Sequence, residues 1–106
     1  MEDKIPVNLL TKAQEERLIY LIEEGSEVIK AATKILRHGY RATNPLDQDH
    51  KGNKHDLESE LADFSFAVRL LMKSKDVDAN KIDLLALGRE ENPPKYFHYQ
   101  GFKDAG

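Results

Sequence analysis

Glu23-Glu24-Gly25-Ser26-Glu27-Val28-Ile29-Lys30-Ala31-Ala32-Thr33-Lys34 is the most informative segment of this chain. It reads as the middle of a long helix. Three of its residues are carboxylates. Glu23 and Glu27 are four apart, so they share a face about one turn apart. Glu24 is rotated about 100° from Glu23, toward the apolar side. Like charges at this spacing cost about 0.2–0.5 kcal/mol per pair unless something binds them. No Lys or Arg stands four residues after any of the three.

Working outward, Thr11 has the character of an N-cap, with Gln14 as its capping-box partner. Helix one is predicted from Lys12 to about Arg37. Its apolar stripe is Leu18, Ile22, Ile29, Ala32 and Leu36, flanked by Leu21, Val28 and Ile35. Gly39 supplies a stop, with Arg37 and His38 at the negative end of the dipole. Such a helix approaches about 40 Å, against a radius of gyration of about 13 Å for a globule of this size. It overhangs a monomer, so a partner chain is the simplest cover, unless Gly25 kinks it.

Met1 to Leu10 is a short lead-in with Pro6. Tyr40 to Lys54 is a long polar loop holding Asn44, Pro45, Asp47, Asp49, His50, Gly52 and Asn53, and its length favours function or mobility. Helix two is predicted over His55–Lys75. Leu57, Leu61, Phe64, Val68 and Leu71 form one stripe, which Phe66, Ala67 and Leu70 widen to more than half the circumference. A surface that wide implies burial on two sides, as in a bundle interior. Asp78 or Asp76 caps a third helix over Ala79–Leu87, ended by Gly88. Pro93-Pro94 keep the aromatic tail from starting as helix. The chain thus reads as one domain over residues 1–106, its core at about 11–88 and an extended tail over 89–106.

Helix two carries a second acidic pair, Glu60 and Asp63, inside its apolar sector, with Asp56 one turn earlier. An unpaired carboxylate there is costly, and it requires a cation, a hydrogen-bond donor or a proton. Hard oxygen ligands of this kind suit Mg²⁺, with Mn²⁺ second, and not zinc or copper. The plainer alternative is a set of salt bridges. Glu23 and Glu27 would be solvated and pair loosely with Lys30, Lys34 or a neighbouring chain, and Glu60 and Asp63 with Arg17 or Arg69. Lys30, Lys34 and Lys54 are the candidate phosphate-binding cations. Lys54 stands with Asn53 at a helix start, where backbone donors also favour anions. His38, His50, His55 and His98 show no metal-ligand spacing.

Glu23-Glu24-x-x-Glu27, a spacer, then Glu60-x-x-Asp63 resembles the E-E-x-x-E … E-x-x-D signature of the MazG-like, all-α nucleoside triphosphate pyrophosphohydrolases. The resemblance extends over residues 15–75, through Glu27-Val28-Ile29-Lys30-Ala31-Ala32, Leu36-Arg37-His38-Gly39 and Glu60-Leu61-Ala62-Asp63. Three departures stand out: a longer spacer, Gly25-Ser26 in place of alanine-like residues, and little chain after helix two. The resemblance implies an all-α subunit with two long helices that oligomerises, as a homodimer or dimer of dimers, into a four-helix-bundle core. It implies Mg²⁺-dependent hydrolysis of a nucleoside triphosphate to monophosphate and pyrophosphate. Carried over by position, Glu23, Glu24, Glu27, Glu60 and Asp63 would hold metal and orient water. Glu24 and Glu27 are both candidates for taking the water's proton. No Ser, Cys or Lys is set up beside a base as a covalent nucleophile.

Composition narrows the alternatives. A net charge of -3 over 106 residues argues against a nucleic-acid polymer as partner. There is no cysteine, hence no thiolate metal site, in keeping with a reducing, cytoplasmic setting. Met1-Glu2-Asp3-Lys4 does not read as a secretory signal, and no apolar run spans a bilayer. Two other functions remain open at this level: a non-catalytic helical interaction module, and a phosphoribosyl-ATP-type pyrophosphohydrolase on the same fold. A di-iron bundle is disfavoured, because no His follows any Glu by three residues.

Overall fold

The computed structural model describes residues 9–43, 46 and 51–101. Pro6 and most of the lead-in, the loop residues Asn44, Pro45, Asp47, Asp49 and His50, and the last five residues lie outside them. The fold is all-α, with no strand among the described residues: α1 is Lys12–His38, α2 is Gly52–Lys73 and α3 is Ala79–Glu91.

Helix α1 matches the sequence expectation at both ends. The Thr11 hydroxyl accepts from the Gln14 N–H (3.1 Å), and the Thr11 N–H donates to Gln14 Oε1 (2.9 Å), a complete capping box. Gly39, at φ 88°, closes the other end and donates its N–H to the Ile35 carbonyl. Helix α2 starts at Gly52 and not at His55. Gly52 takes φ +89°, which only glycine adopts cheaply, and Asn53 and Lys54 turn their N–H groups back onto the Ala42 and Tyr40 carbonyls (2.9 and 3.0 Å). It ends at Lys73, not Lys75, in a Schellman motif: the Asp76 N–H bonds to the Leu71 carbonyl and the Lys75 N–H to that of Met72. Lys75 occupies the left-handed position (φ 64°) where glycine is usual.

The first two helices form an antiparallel hairpin. Lys34 meets Asp56, Gly25 meets Phe64, Tyr20 meets Phe66 and Arg17 meets Asp76, so α2 numbering rises as α1 numbering falls. The seam follows a heptad rhythm of alternating four- and three-residue steps. From α1 it takes Arg17, Leu21, Glu24, Val28, Ala31 and Ile35; from α2, Asn53, Leu57, Glu60, Phe64, Ala67 and Leu71, all buried or half-buried. A Cβ placed on Gly25 would stand 3.4 Å from Phe64 Cε1, so this glycine sits where the helices approach closely. The ends are tied by polar groups. Arg17 forks onto both Asp76 oxygens (2.6 and 3.0 Å), and buried Asn53 donates its Nδ2–H to the Gly39 carbonyl (3.0 Å).

The expected main stripe of α1 is not what packs. Its expected flank, Leu21, Val28 and Ile35, faces α2, while Ile22, Ile29 and Leu36 remain 69%, 67% and 88% exposed. The exposed residues Leu18, Ile22, Ile29, Ala32 and Leu36 have their own heptad rhythm, with half-buried Gly25 at the step between Ile22 and Ile29. On α2 the matching series is Leu61, Ser65, Val68 and Met72, and Leu61 is exposed. At about 100° per residue both series fall on the same flank of the hairpin. Each long helix therefore carries two adjacent seams and has filled one.

By contact density the chain divides after Asp76 into two units, with the hairpin in the first and α3 in the second. Asp78 caps α3 by accepting from the Lys81 N–H (3.2 Å); the other candidate cap, Asp76, is held by Arg17. The helix runs through Gly88, the expected stop, to Glu91. An in-helix glycine costs only about 1 kcal/mol, and Pro93-Pro94 impose the actual end. The tail is turned and not extended at Pro94–Phe97, where the Phe97 N–H donates to the Pro94 carbonyl (3.1 Å).

Candidate functional site

Glu24 and Glu60 occupy facing positions inside the seam, between buried or half-buried apolar residues, whereas its other polar members, Arg17 and Asn53, lie at its ends. Asp63, one turn beyond Glu60, reaches in from the rim. One carboxylate oxygen from each of these three lies within 4.8 Å of the other two. Neither ion pair among the described residues, Arg17–Asp76 or Lys34–Asp56, involves them. The salt-bridge partners offered by the sequence are therefore not used: Arg17 is committed to Asp76, and Arg69 is exposed on the far side of α2. Burial, then the charges of Asp63, Glu60, Glu27 and Glu23, raise the Glu24 carboxyl above the ordinary carboxylate range.

Of the five acids in the sequence motif, Glu24, Glu60 and Asp63 converge. Glu23 and Glu27 stand exposed on the same flank and enter through their charge on Glu24. The Ser26 hydroxyl donates to the Glu23 carbonyl (2.7 Å), so it is spent on the backbone. The three lysines divide differently. Lys34 is half-buried and brings Nζ to 3.8 Å from Asp56, one turn from Glu60. Lys30 is exposed on the same flank of α1. Lys54 is exposed on the other side of α2, and its N–H and that of Asn53 are taken by loop carbonyls, so the anion-binding helix start expected there does not form. Beyond Lys34 a cleft of about 340 Å³ is lined by Lys34, His38, Ala42, Thr43 and Asn53.

On the other side of the acids lie two aromatics that the sequence reading passed over as sites. Tyr20 is one turn before Glu24, and Phe66 is three residues after Asp63. Their rings meet edge to face, centroids 6.0 Å apart, in a groove of about 320 Å³ shared with Glu16, Arg17 and Leu70. Burial, then the nearby charges of Glu24 and Asp63, raise the Tyr20 hydroxyl's pKa. The available signal was positional: Tyr20 and Phe66 share the helix flank of the acids.

The donor set fits a hard divalent cation. Oxygens around one Mg²⁺ at about 2.1 Å are at most about 4.2 Å apart. The 4.8 Å within which the triad lies is slightly wider than that span. Comparison of the chain with protein-family models, with curated proteins and with solved structures returned no match. No helix among the described residues is long and apolar enough to cross a membrane.

Proposed function

We propose that this protein is a Mg²⁺-dependent nucleoside triphosphate pyrophosphohydrolase, releasing nucleoside monophosphate and pyrophosphate. The observation that carries the proposal is the convergence of Glu24, Glu60 and Asp63 across a helix seam with no cation paired to them among the described residues. Like charges at a half-buried seam destabilise the hairpin unless a ligand uses them. The sequence resemblance to MazG-like enzymes supports the same chemistry.

Glu24, Glu60 and Asp63 hold the cation, with Mn²⁺ as a substitute for Mg²⁺. When bound, it neutralises phosphate charge and makes water a better nucleophile. In this reading Glu27, which is exposed and outside the triad, accepts the water's proton at its carboxylate; Glu23 adds to the negative field. Lys30 and Lys34, farther along the same flank, meet the phosphates. The second, open seam of α1 and α2 supports a homodimer, or a dimer of dimers, built as a four-helix bundle that leaves the acidic flank accessible.

A panel of ordinary and damaged nucleoside triphosphates with Mg²⁺, scored separately for pyrophosphate and orthophosphate, tests this. Pyrophosphate from at least one substrate is expected. Orthophosphate as sole product, or no turnover across the panel, overturns it.

A further inference from the structure

We propose that the Tyr20–Phe66 groove is the subsite for the nucleobase, which fixes the direction in which a nucleotide lies along the hairpin. This rests on the nucleotide hydrolase proposed above.

The chemistry along one flank changes in order. At one end is the Tyr20–Phe66 groove, closed by Leu70, with Phe66 53% exposed. Next, about 6 Å along α1, come the converging acids Glu24, Glu60 and Asp63. Beyond them are Lys30 and Lys34. A nucleotide has the same order: a flat, weakly polar base, a sugar, then a phosphate chain that needs cations. The groove volume of about 320 Å³ is at the small end of ligand sites, suited to part of a ligand and not to the whole of one. Charge fixes the orientation. Glu16 lines the groove and repels phosphate, and the Arg17 guanidinium is spent on Asp76. The phosphates therefore point toward Lys34 and the base toward the aromatics. The half-exposed Phe66 ring offers a stacking face, and stacking on an aromatic tolerates any base.

Two measurements test this. Nucleoside monophosphate is titrated in EDTA while the Tyr20 and Phe66 ring signals are followed by NMR, with ribose 5-phosphate as the baseless control. The nucleotide is expected to shift both rings and the control neither. Phe66→Leu should abolish the shifts, and Phe66→Trp should restore them at the indole. In turnover assays Phe66→Leu should raise KM for nucleoside triphosphate about tenfold, within the range of one lost base stack, and Phe66→Trp should bring it back. Rings unmoved at millimolar nucleotide, or moved equally by ribose 5-phosphate, overturn the base subsite. A KM for nucleoside triphosphate that Phe66→Leu leaves at the wild-type value does so too. Ring shifts without any pyrophosphate release would retain the subsite and exclude the hydrolase.

Discussion

Replacing Ile29 with Asp tests whether the second seam of α1 is an interface between two copies. Ile22, Ile29 and Leu36 expose 69%, 67% and 88% of themselves in the single chain. Full burial of one such side chain contributes about 1.5–3 kcal/mol, so covering all three contributes about 3–7 kcal/mol per protomer. Two protomers double that to about 7–13 kcal/mol, which is comparable with an association cost of about 4–15 kcal/mol, and neighbours such as Leu18 and Leu61 add to it. Ile29→Asp removes about 2–4 kcal/mol across the two copies, before counting the cost of burying its charge. At about 1.4 kcal/mol per tenfold, association weakens at least 30- to 700-fold. Sedimentation equilibrium at micromolar concentrations, with circular dichroism to confirm retained helix, reads this directly. A wild-type protein that sediments as a compact monomer, or an Ile29→Asp protein that associates like the wild type, would refute it.

Three further outcomes follow from the hairpin. Glu24→Gln should raise Tm without metal at neutral pH: a carboxyl held above its ordinary pKa subtracts stability once ionised and nothing below that range. The gain should vanish on titration below about pH 4, and a variant less stable than wild type at pH 7 would contradict it. Asp76 has the opposite sign, since the Arg17 hydrogen bond lowers its pKa. Asp76→Asn should destabilise at neutral pH, with the loss shrinking as acid protonates Asp76 in the wild type; a pH-independent difference in Tm would argue against the ion pair. Lys75→Gly should stabilise by about 1 kcal/mol in urea unfolding, because the left-handed residue of the Schellman motif loses its Cβ strain. A loss of stability there would mean that the Lys75 side chain has a role its backbone does not show.

The local signals of the sequence were the most legible. Thr11, Gln14 and Gly39 bracket α1 because capping chemistry is contained within a few residues. Five acids, Glu23, Glu24, Glu27, Glu60 and Asp63, read as one set, because three- and four-residue spacings fix positions on each helix; which three converge, Glu24, Glu60 and Asp63, depends on how the two helices pair and was not legible. Which face packs was not legible. Leu18, Ile22 and Ile29 make as apolar a stripe as Leu21, Val28 and Ile35, and only pairing with α2 chooses between them. Asn53 read as a loop and helix-start residue; its place in the seam was not legible because the Gly39 carbonyl that satisfies it is fourteen residues away in sequence. The end of α2 was misjudged because Lys75 adopts a conformation that normally announces itself with glycine. Arg17 and Asp76, fifty-nine residues apart, carry no sequence sign that they belong together.

Glu24, Glu60 and Asp63 are proposed to hold the cation on which a nucleoside triphosphate is cleaved. The most direct measurement is pyrophosphate release against Mg²⁺ concentration for the wild type, Glu60→Gln and Asp63→Asn, with Tm measured alongside. Wild-type turnover should rise with Mg²⁺ and be lost in both variants, while their Tm without metal equals or exceeds that of the wild type. Near-normal release of pyrophosphate by either variant, or wild-type turnover indifferent to Mg²⁺, would contradict the assignment.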